Sequence, residues 1–441
     1  MNEVQISSKI AELELEELAK ASGFIQRSGG KITALDFVSS FFLMVSTGKN
    51  TLVNWAMRLS MLIKKAVSDK AIDHKLQFRQ VEFSKQVLQA SLESQSKKAI
   101  SKAMKIRHLS AFDRVYVEDS VCVSLPDNVA EFFPGAFSVN GEVATARIQF
   151  RLELKTNRYE HLALQSYRHS DAKFAPNIIS GLQVNDLVLR DQGYWSLDVF
   201  EKIIESKAYF ISRYRHGVHL FDAQTGESID LLKVLKAKQR NGIRRIELQI
   251  LVGKEKKLPL RLVAVEVPHQ VAQKRRRKAA KSRNKRVNYS KEYMALLGWS
   301  IFVTNVEQEL LDAKQIMEVY GMRWRIENLF KCWKSAGLQI AQLFADKQSM
   351  RPPRAMITLY LLLSYLVLFF AKWFYFFERK VFEKYQRPIS IFKFIDWVVS
   401  CFDSLFNSDD LTQWVDLVAY HCKYDKRKDR QNMGELLYVI N

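Results

Sequence analysis

Cysteine is scarce in this chain and never paired in sequence. Four residues, Cys122, Cys332, Cys401 and Cys422, are scattered over 441 positions with no CxxC motif. That spacing argues against a sequence-encoded zinc site and against a disulfide framework, and a reduced, cytoplasmic compartment fits it best. An apolar leader is missing as well, since MNEVQISSKIAELELEEL is charged where a signal core would be hydrophobic. No internal repeat is visible. Acidic residues are in deficit: 47 Asp and Glu stand against 68 Lys and Arg, a formal net charge of +21, with a pI near 9.6. Such an excess calls for a polyanionic partner, because each phosphate neutralised releases condensed counterions. Charge alone leaves DNA, RNA and an acidic membrane surface open.

Apolar residues are not lacking. At 48% they suffice for real cores and exclude a disordered chain, and the length suits roughly two to four domains. The longest apolar run, AMITLYLLLSYLVLFFA from Ala355 to Ala371, is 17 residues long and is interrupted by Lys372. A membrane-spanning helix takes about 20 apolar residues, so the expectation is a buried helix of a large core and no membrane partner.

Residues 1–105 read as helical. Gly23 and Gly48 are helix stops, Thr33 caps the helix that follows with Asp36 in its first turn, and Ser68 caps another. Short helices joined by short turns build either a helix-turn-helix DNA reader or a plain bundle. The basic segment KKAISKAMKIRH that follows favours DNA binding. From about residue 112 the period changes to two. RVYVEDSVCVSL, ATARIQFRLEL and EHLALQSY read as strands. The short apolar strand DLVLRDQGYW ends at Asp191, and the helix WSLDVFEKIIES and the strand AYFISRYR complete a mixed sheet with helices packed on it.

Residues 216–305 read as a separate β module, with RRIELQILV and LPLRLVAVEV as its strands. A basic run, QKRRRKAAKSRNKR at 273–286, includes Lys274, Arg275, Arg276 and Arg277. It reads as a loop, either solvated or in contact with phosphates. GWSIFVTNV is a strand, and DAKQIMEVYGMRWRIENLFKCWKSAG reads as one long helix stopping at Gly337. Residues 350–441 are helical and aromatic-rich. Trp195, Trp324 and Trp333 read as packing residues.

Within the long helix, Tyr320, Arg323, Glu327 and Lys334 are spaced 3, 4 and 7. At 100° per residue they share an arc of about 60°, with Lys331 on the same face. Arg323 and Glu327 could be a plain surface pair worth about 0.2–0.5 kcal/mol. The alternative is a metal-ligating carboxylate beside a DNA backbone. Arg323 would then fork onto a phosphate, Lys331 and Lys334 would act as point charges, and Tyr320 would donate to a phosphate oxygen or stack on a base.

This pattern, Y-x2-R-x3-E-x6-K, stands here as YGMRWRIENLFKCWK and resembles the motif helix of insertion-sequence DDE transposases of the IS-four family. The resemblance implies an α/β fold. Its ribonuclease-H-like catalytic core would span 106–345, interrupted by a β-rich insertion at about 216–305. A helical DNA-binding domain would occupy 1–105 and a helical C-terminal region 346–441, for dimerisation or core packing. It implies two catalytic Asp on neighbouring strands. Asp119, in VYVEDSV, is the first candidate; Asp113 precedes that strand, and Glu118 points to the opposite face. Asp191, at the end of LVLRDQGYW, is the second, ahead of Asp186 and Asp198. With Glu327 these are hard oxygen ligands suited to Mg²⁺ or Mn²⁺. Trp299 is either a core residue or a stacking platform for a flipped nucleotide. The implied activity is metal-dependent cleavage of DNA at terminal inverted repeats and joining to target DNA, by a homodimer in the cytoplasm on the nucleoid. Another ribonuclease-H-like nuclease, a non-catalytic DNA-binding protein and a membrane-surface protein are the competing readings.

Overall fold

A computed structural model describes residues 10–25, 31–47, 51–97, 108–138, 141–281, 289–335, 338, 340–344 and 350–425. Helices α1 (Leu15–Ala21), α2 (Ala34–Ser46), α3 (Leu52–Ile63), α4 (Asp69–His74) and α5 (Phe78–Lys97) come first. Thr33, Thr51 and Ser68 cap α2, α3 and α4, and Thr33 forms a reciprocal capping box with Asp36. Next come β1 (Val115–Ser124), a ribbon of β2 (Phe137–Ser138) and β3 (Gly141–Glu142), then β4 (Thr145–Glu153), β5 (Arg158–Ser166) and the single turn α6 (Asp171–Phe174). They are followed by β6 (Leu187–Arg190), α7 (Leu197–Glu205), β7 (Tyr209–Arg213), β8 (Leu220–Asp222), α8 (Leu231–Arg240), β9 (Arg245–Val252) and β10 (Leu258–Glu266). The remainder comprises α9 (His269–Ala280), α10 (Lys291–Leu296), β11 (Trp299–Thr304), α11 (Ala313–Gly321), α12 (Trp324–Ser335), α13 (Pro352–Tyr365), a π-helical stretch Leu366–Ala371, α14 (Lys372–Tyr385), α15 (Ile391–Ser400), α16 (Phe402–Phe406) and α17 (Val415–His421). The helix stops read at Gly48 and Gly337, most of KKAISKAMKIRH and residues 282–286 of the basic run lie outside the described residues.

Contacts divide the chain into two units. One comprises Met1–Met104, Ser120–His169 and Arg325–Asn441; the other comprises Lys105–Asp119 and Ser170–Trp324. Strand β1 contributes to both.

In the second unit β1 pairs in parallel with β6, from Val115↔Leu187 to Glu118↔Arg190, and β6 in parallel with β7. Strand β6 is buried along its whole length, as befits a strand covered on both faces. Between β6 and β7, α7 is capped by Ser196 and buries Val199, Phe200 and Ile203. Phe200 stacks on Phe210 of β7 at 4.2 Å between centroids. The segment 216–305 is not a separate module. Strand β11 pairs antiparallel with β7, and β10, β9 and β8 follow outward, each antiparallel to its neighbour. The physical reason is the exposed edge of β7, whose unpaired backbone groups need a partner. Nor is the basic run a loop where it is described. Pro268 precedes α9, and Lys274 to Lys278 sit inside that helix, because Gln, Lys, Arg and Ala are all strong helix formers. The expected single helix at 312–337 is also two. Alpha-11 ends at Gly321, and Met322 and Arg323 form a turn ahead of α12. Glycine is the residue in that stretch least suited to a helix interior, by about 1 kcal/mol.

In the first unit β4 and β5 form an antiparallel hairpin, Ala146↔Ser166 to Glu153↔Arg158. The latter half of β1 lies beside β4. Helices α5 and α13 pack together. Pro352–Tyr385 runs without a break, and 83% of its most apolar stretch is buried inside the protein. Its rings pack against other helices, with Phe42 on Tyr365 and Phe369, and Phe402 on Tyr365 and Trp373. The run is a core helix, held by aromatic burial.

The last register pair between β1 and β6, Glu118 and Arg190, is a buried ion pair at 3.0 Å, and Arg190 also donates to the Ala175 carbonyl. Removing one partner of such a pair costs about 3–5 kcal/mol. Glu118→Ala should therefore lower the thermal midpoint sharply. A Glu118→Leu, Arg190→Met double variant should recover most of the loss. Circular dichroism melts check both, and a Glu118→Ala protein as stable as wild type would contradict the assignment.

Candidate active site

Asp119 and Asp191 are each one residue beyond the Glu118↔Arg190 pair, on neighbouring parallel strands. Strands in a sheet are about 4.8 Å apart, and successive side chains alternate in face. The two carboxylates therefore lie side by side, on the face opposite the Glu118–Arg190 pair. Strand β6 ends at Arg190, and Asp191 opens the turn Gln192–Tyr194 in extended conformation. This is the carboxyl end of a parallel strand, where open α/β sheets bind their ligands.

One side chain reaches both. Arg323 Nη1 donates to Asp119 Oδ2 at 2.9 Å, and Nη2 lies 3.8 Å from Asp191 Oδ1. Exposure rises across the group, from 12% for Arg323 to 22% for Asp119 and 41% for Asp191. Adjacent carboxylates repel, and the guanidinium offsets that repulsion. Tyr320, the penultimate residue of α11, directs its hydroxyl to Asp191 Oδ1 at 3.4 Å. Its ring packs on Phe302 of β11 at 4.8 Å and lies 5.8 Å from the Arg323 guanidinium. Burial pushes the Tyr320 phenol well above its ordinary value, with Arg323 opposing. The hydroxyl therefore remains a proton donor at every physiological pH.

The rival carboxylates are placed differently. Asp113 precedes β1 and is exposed. Asp186 is fully buried, gripped by Arg114 through two nitrogens and by the Gln183 amide. Asp198 is exposed and paired with Lys256 at 2.8 Å. Glu327 lies in the first turn of α12 and is half-buried, with Lys331 and Lys334 exposed on the same helix; this helix belongs to the first unit. Among the tryptophans, Trp195 and Trp333 are buried. Trp324, which reads as a packing residue in the sequence, is 52% exposed.

Trp299 opens β11 only 6% exposed and lines two clefts in the second unit. One, of about 120 Å³, is also lined by Gln192, Arg213, His216, Arg275 and Tyr293. The other, of about 550 Å³, is bordered by Lys236, Arg244, His269 and Arg276. The basic run divides in two. Lys274 and Arg277 are exposed on α9. Arg275 donates to the Trp299 carbonyl and Ser300 Oγ, both at 3.0 Å, and Arg276 to the Met294 carbonyl at 3.0 Å. Burial, and then Arg213, hold the Arg275 pKa below its usual value. Arg213 was not picked out from the sequence. It ends β7 and shares the smaller cleft with Gln192, the neighbour of Asp191. The available signal was the cationic cluster SRYRH directly after the apolar strand.

The donor chemistry at Asp119 and Asp191 fits a divalent cation. Both are hard oxygen donors, and the pair already requires positive charge, which Arg323 supplies. Among the described residues no group of three His, Cys, Asp or Glu is gathered closely enough to hold a metal.

The family model for a transposase DDE domain matches residues 111–350, a span that includes Asp119, Asp191, Tyr320, Arg323 and Glu327. The chain is 25% identical over 459 residues to the transposase for insertion sequence element IS231B of Bacillus thuringiensis subsp. berliner, covering 97% of this chain and 92% of that relative. It is 27% identical over 340 residues to the transposase for insertion sequence element IS1151 of Clostridium perfringens, covering 73% of this chain and 71% of that relative. Among solved structures, the cryo-EM structure of a piggyBac transposase synaptic complex with hairpin DNA aligns with a TM-score of 0.39 and 11% identity over 98% of this chain and 87% of that one.

Arg323 already contacts both carboxylates, so a divalent cation held by the same pair would compete with it. In EDTA, Arg323→Ala should melt below wild type. Added Ca²⁺ should stabilise the variant at roughly tenfold lower concentration than it stabilises wild type, a difference of about 1.4 kcal/mol. Identical Ca²⁺ titrations in differential scanning fluorimetry would contradict the shared role.

Proposed function

This chain belongs to the DDE transposase family and is a DNA transposase, and from that premise we propose that it cuts and pastes an insertion sequence through Asp119, Asp191 and Glu327. It would bind the terminal inverted repeats, hydrolyse DNA at those ends and join the 3′-hydroxyls to target DNA, as a homodimer across two paired ends, in the cytoplasm on the nucleoid. The observation that carries this reading is the pair of carboxylates, one on β1 and one just past the end of β6, sharing one guanidinium.

A ribonuclease-H-like core is the finer fold we assign. Its support is the chain order: β1, β4 and β5 first, then β6 and β7 running parallel to β1, with β8 to β11 as the insertion. Helices α1 to α5 are the proposed DNA-binding region. The C-terminal region would serve dimerisation or core packing, and the burial of Pro352–Tyr385 supports packing.

The DDE domain implies dependence on a divalent metal, and the all-oxygen donors favour Mg²⁺, with Mn²⁺ as a substitute. When bound, such ions would supply the positive charge that favours an attacking oxygen and a leaving oxygen at phosphorus. Asp119, Asp191 and Glu327 would hold them. Arg323 offsets the charge of the two Asp in the free protein, and its fork would grip a backbone phosphate once released from them. Tyr320, kept protonated, would donate to a phosphate oxygen. Lys331 and Lys334 on α12, and Lys274 and Arg277 on α9, would meet phosphates as exposed charges. Arg275 and Arg276 would shape the clefts around Trp299, which is the candidate platform for a flipped base.

Glu327→Gln should bind DNA carrying the element's ends with wild-type affinity and leave it uncut. Labelled end fragments incubated with Mg²⁺ and then Ca²⁺ test this, and full cleavage by the variant would overturn the assignment.

A further inference from the structure

The helix that carries Glu327 is fastened from below by charge. Arg325, two residues earlier in α12, is turned about 200° away from Glu327 and is buried. Its Nη2 donates to both carboxylate oxygens of Glu378 on α14, at 2.9 Å each, with Glu378 itself buried. The Asn157 side-chain amide donates to the same carboxylate. Asn157 closes the β4–β5 turn at φ 56°, and Glu153 braces that turn by accepting from the Lys155 and Thr156 amides. The Arg325 guanidinium also lies 5.7 Å from the Phe374 ring of α14. All of these residues belong to one unit.

We propose that Glu378 is a positioning residue for Glu327: with Asn157 it fixes Arg325, and Arg325 sets the rotation and height of the first turn of α12. The proposal rests on the reading of Glu327 as a catalytic carboxylate. Apolar packing could hold α12 in place without this pair, since Phe330 and Trp333 already lie against Phe150. Such packing is non-directional. A carboxylate held at both oxygens by one guanidinium nitrogen, and by an amide as well, is directional. A metal-ligating carboxylate must be held within about 0.5 Å of its working position, which apolar contacts alone do not guarantee. Glu378 lies beyond the stretch matched by the family model, 111–350, so the proposal makes the C-terminal helices part of the catalytic apparatus.

The test uses full-length protein bound to end DNA. Two readouts are taken together: the Mn²⁺ dissociation constant by electron paramagnetic resonance, and the Mn²⁺ concentration for half-maximal cleavage. Glu378→Gln should raise both by roughly tenfold or more, the range expected when the support of a metal ligand is lost, while the affinity for end DNA stays at the wild-type value. Asn157→Gly is the milder variant. It deletes only the amide donor, and glycine suits the positive φ, so its melting temperature should hold while both readouts rise several-fold. An Arg325→Met, Glu378→Leu double variant removes the buried charges together, which recovers stability and should still bind Mn²⁺ weakly. Wild-type Mn²⁺ affinity in that folded double variant, or in Asn157→Gly, overturns the proposal. If Glu327→Gln cuts DNA, it is the reading of Glu327 that fails.

Discussion

Two like charges forced side by side are the constraint around which the second unit is organised. Parallel pairing of β1 with β6, in a register ending at Glu118↔Arg190, leaves Asp119 and Asp191 no choice but adjacency. Such a pair is tolerable only beside a cation. Arg323 supplies it, and the turn after Gly321 releases Arg323 from the helical path so that one guanidinium can reach both carboxylates. On the opposite face the same two strands bury a compensated pair, Glu118 with Arg190. Neighbouring residues of opposite orientation thus do opposite work: one pair anchors the sheet, and the other holds charge available at its surface.

Much of this was legible in the sequence, because alternation is a strict rule. Period-two patterning separates Glu118 from Asp119 without any coordinates, whereas the choice of Asp191 leans on the resemblance of its DQGYW context to the family's motif. Cap residues are similarly local, and Thr33 and Ser68 do what their spacing implies. What was not legible depends on partners distant in the chain. No local pattern says that β11 will pair with β7, so 216–305 read as a module of its own when it extends the sheet. Charge density suggested a loop at 273–286, yet Lys and Arg are good helix formers and Lys274 to Lys278 lie in α9. Helical periodicity ran through Gly321 unbroken, and only the structure shows the turn that places Arg323 over the carboxylates. The half-burial of Arg275 and Arg276 has the same origin, since their acceptors at Trp299, Ser300 and Met294 are distant in sequence.

The first unit carries its own polar device inside an aromatic core. Glu378 sits on the same continuous helix as the long apolar run at 355–371, and, buried there, a charge is costly unless paired. Arg325 and Asn157 pair it, and they connect α12, α14 and the β4–β5 turn through one carboxylate. The apolar run at 355–371 is therefore a platform as well as a core helix.

The account stands on Asp119 and Asp191 holding a divalent cation together. Iron-directed cleavage tests this most directly. Fe²⁺ would be bound in place of the native metal on the end-DNA complex, and ascorbate and peroxide would then generate radicals that cut the polypeptide beside its ligands. The account predicts backbone cuts next to both Asp119 and Asp191, competed away by Mg²⁺ and lost together in the Asp119→Asn variant. Cuts confined to other positions, or a cut at Asp191 that persists in Asp119→Asn, would contradict it.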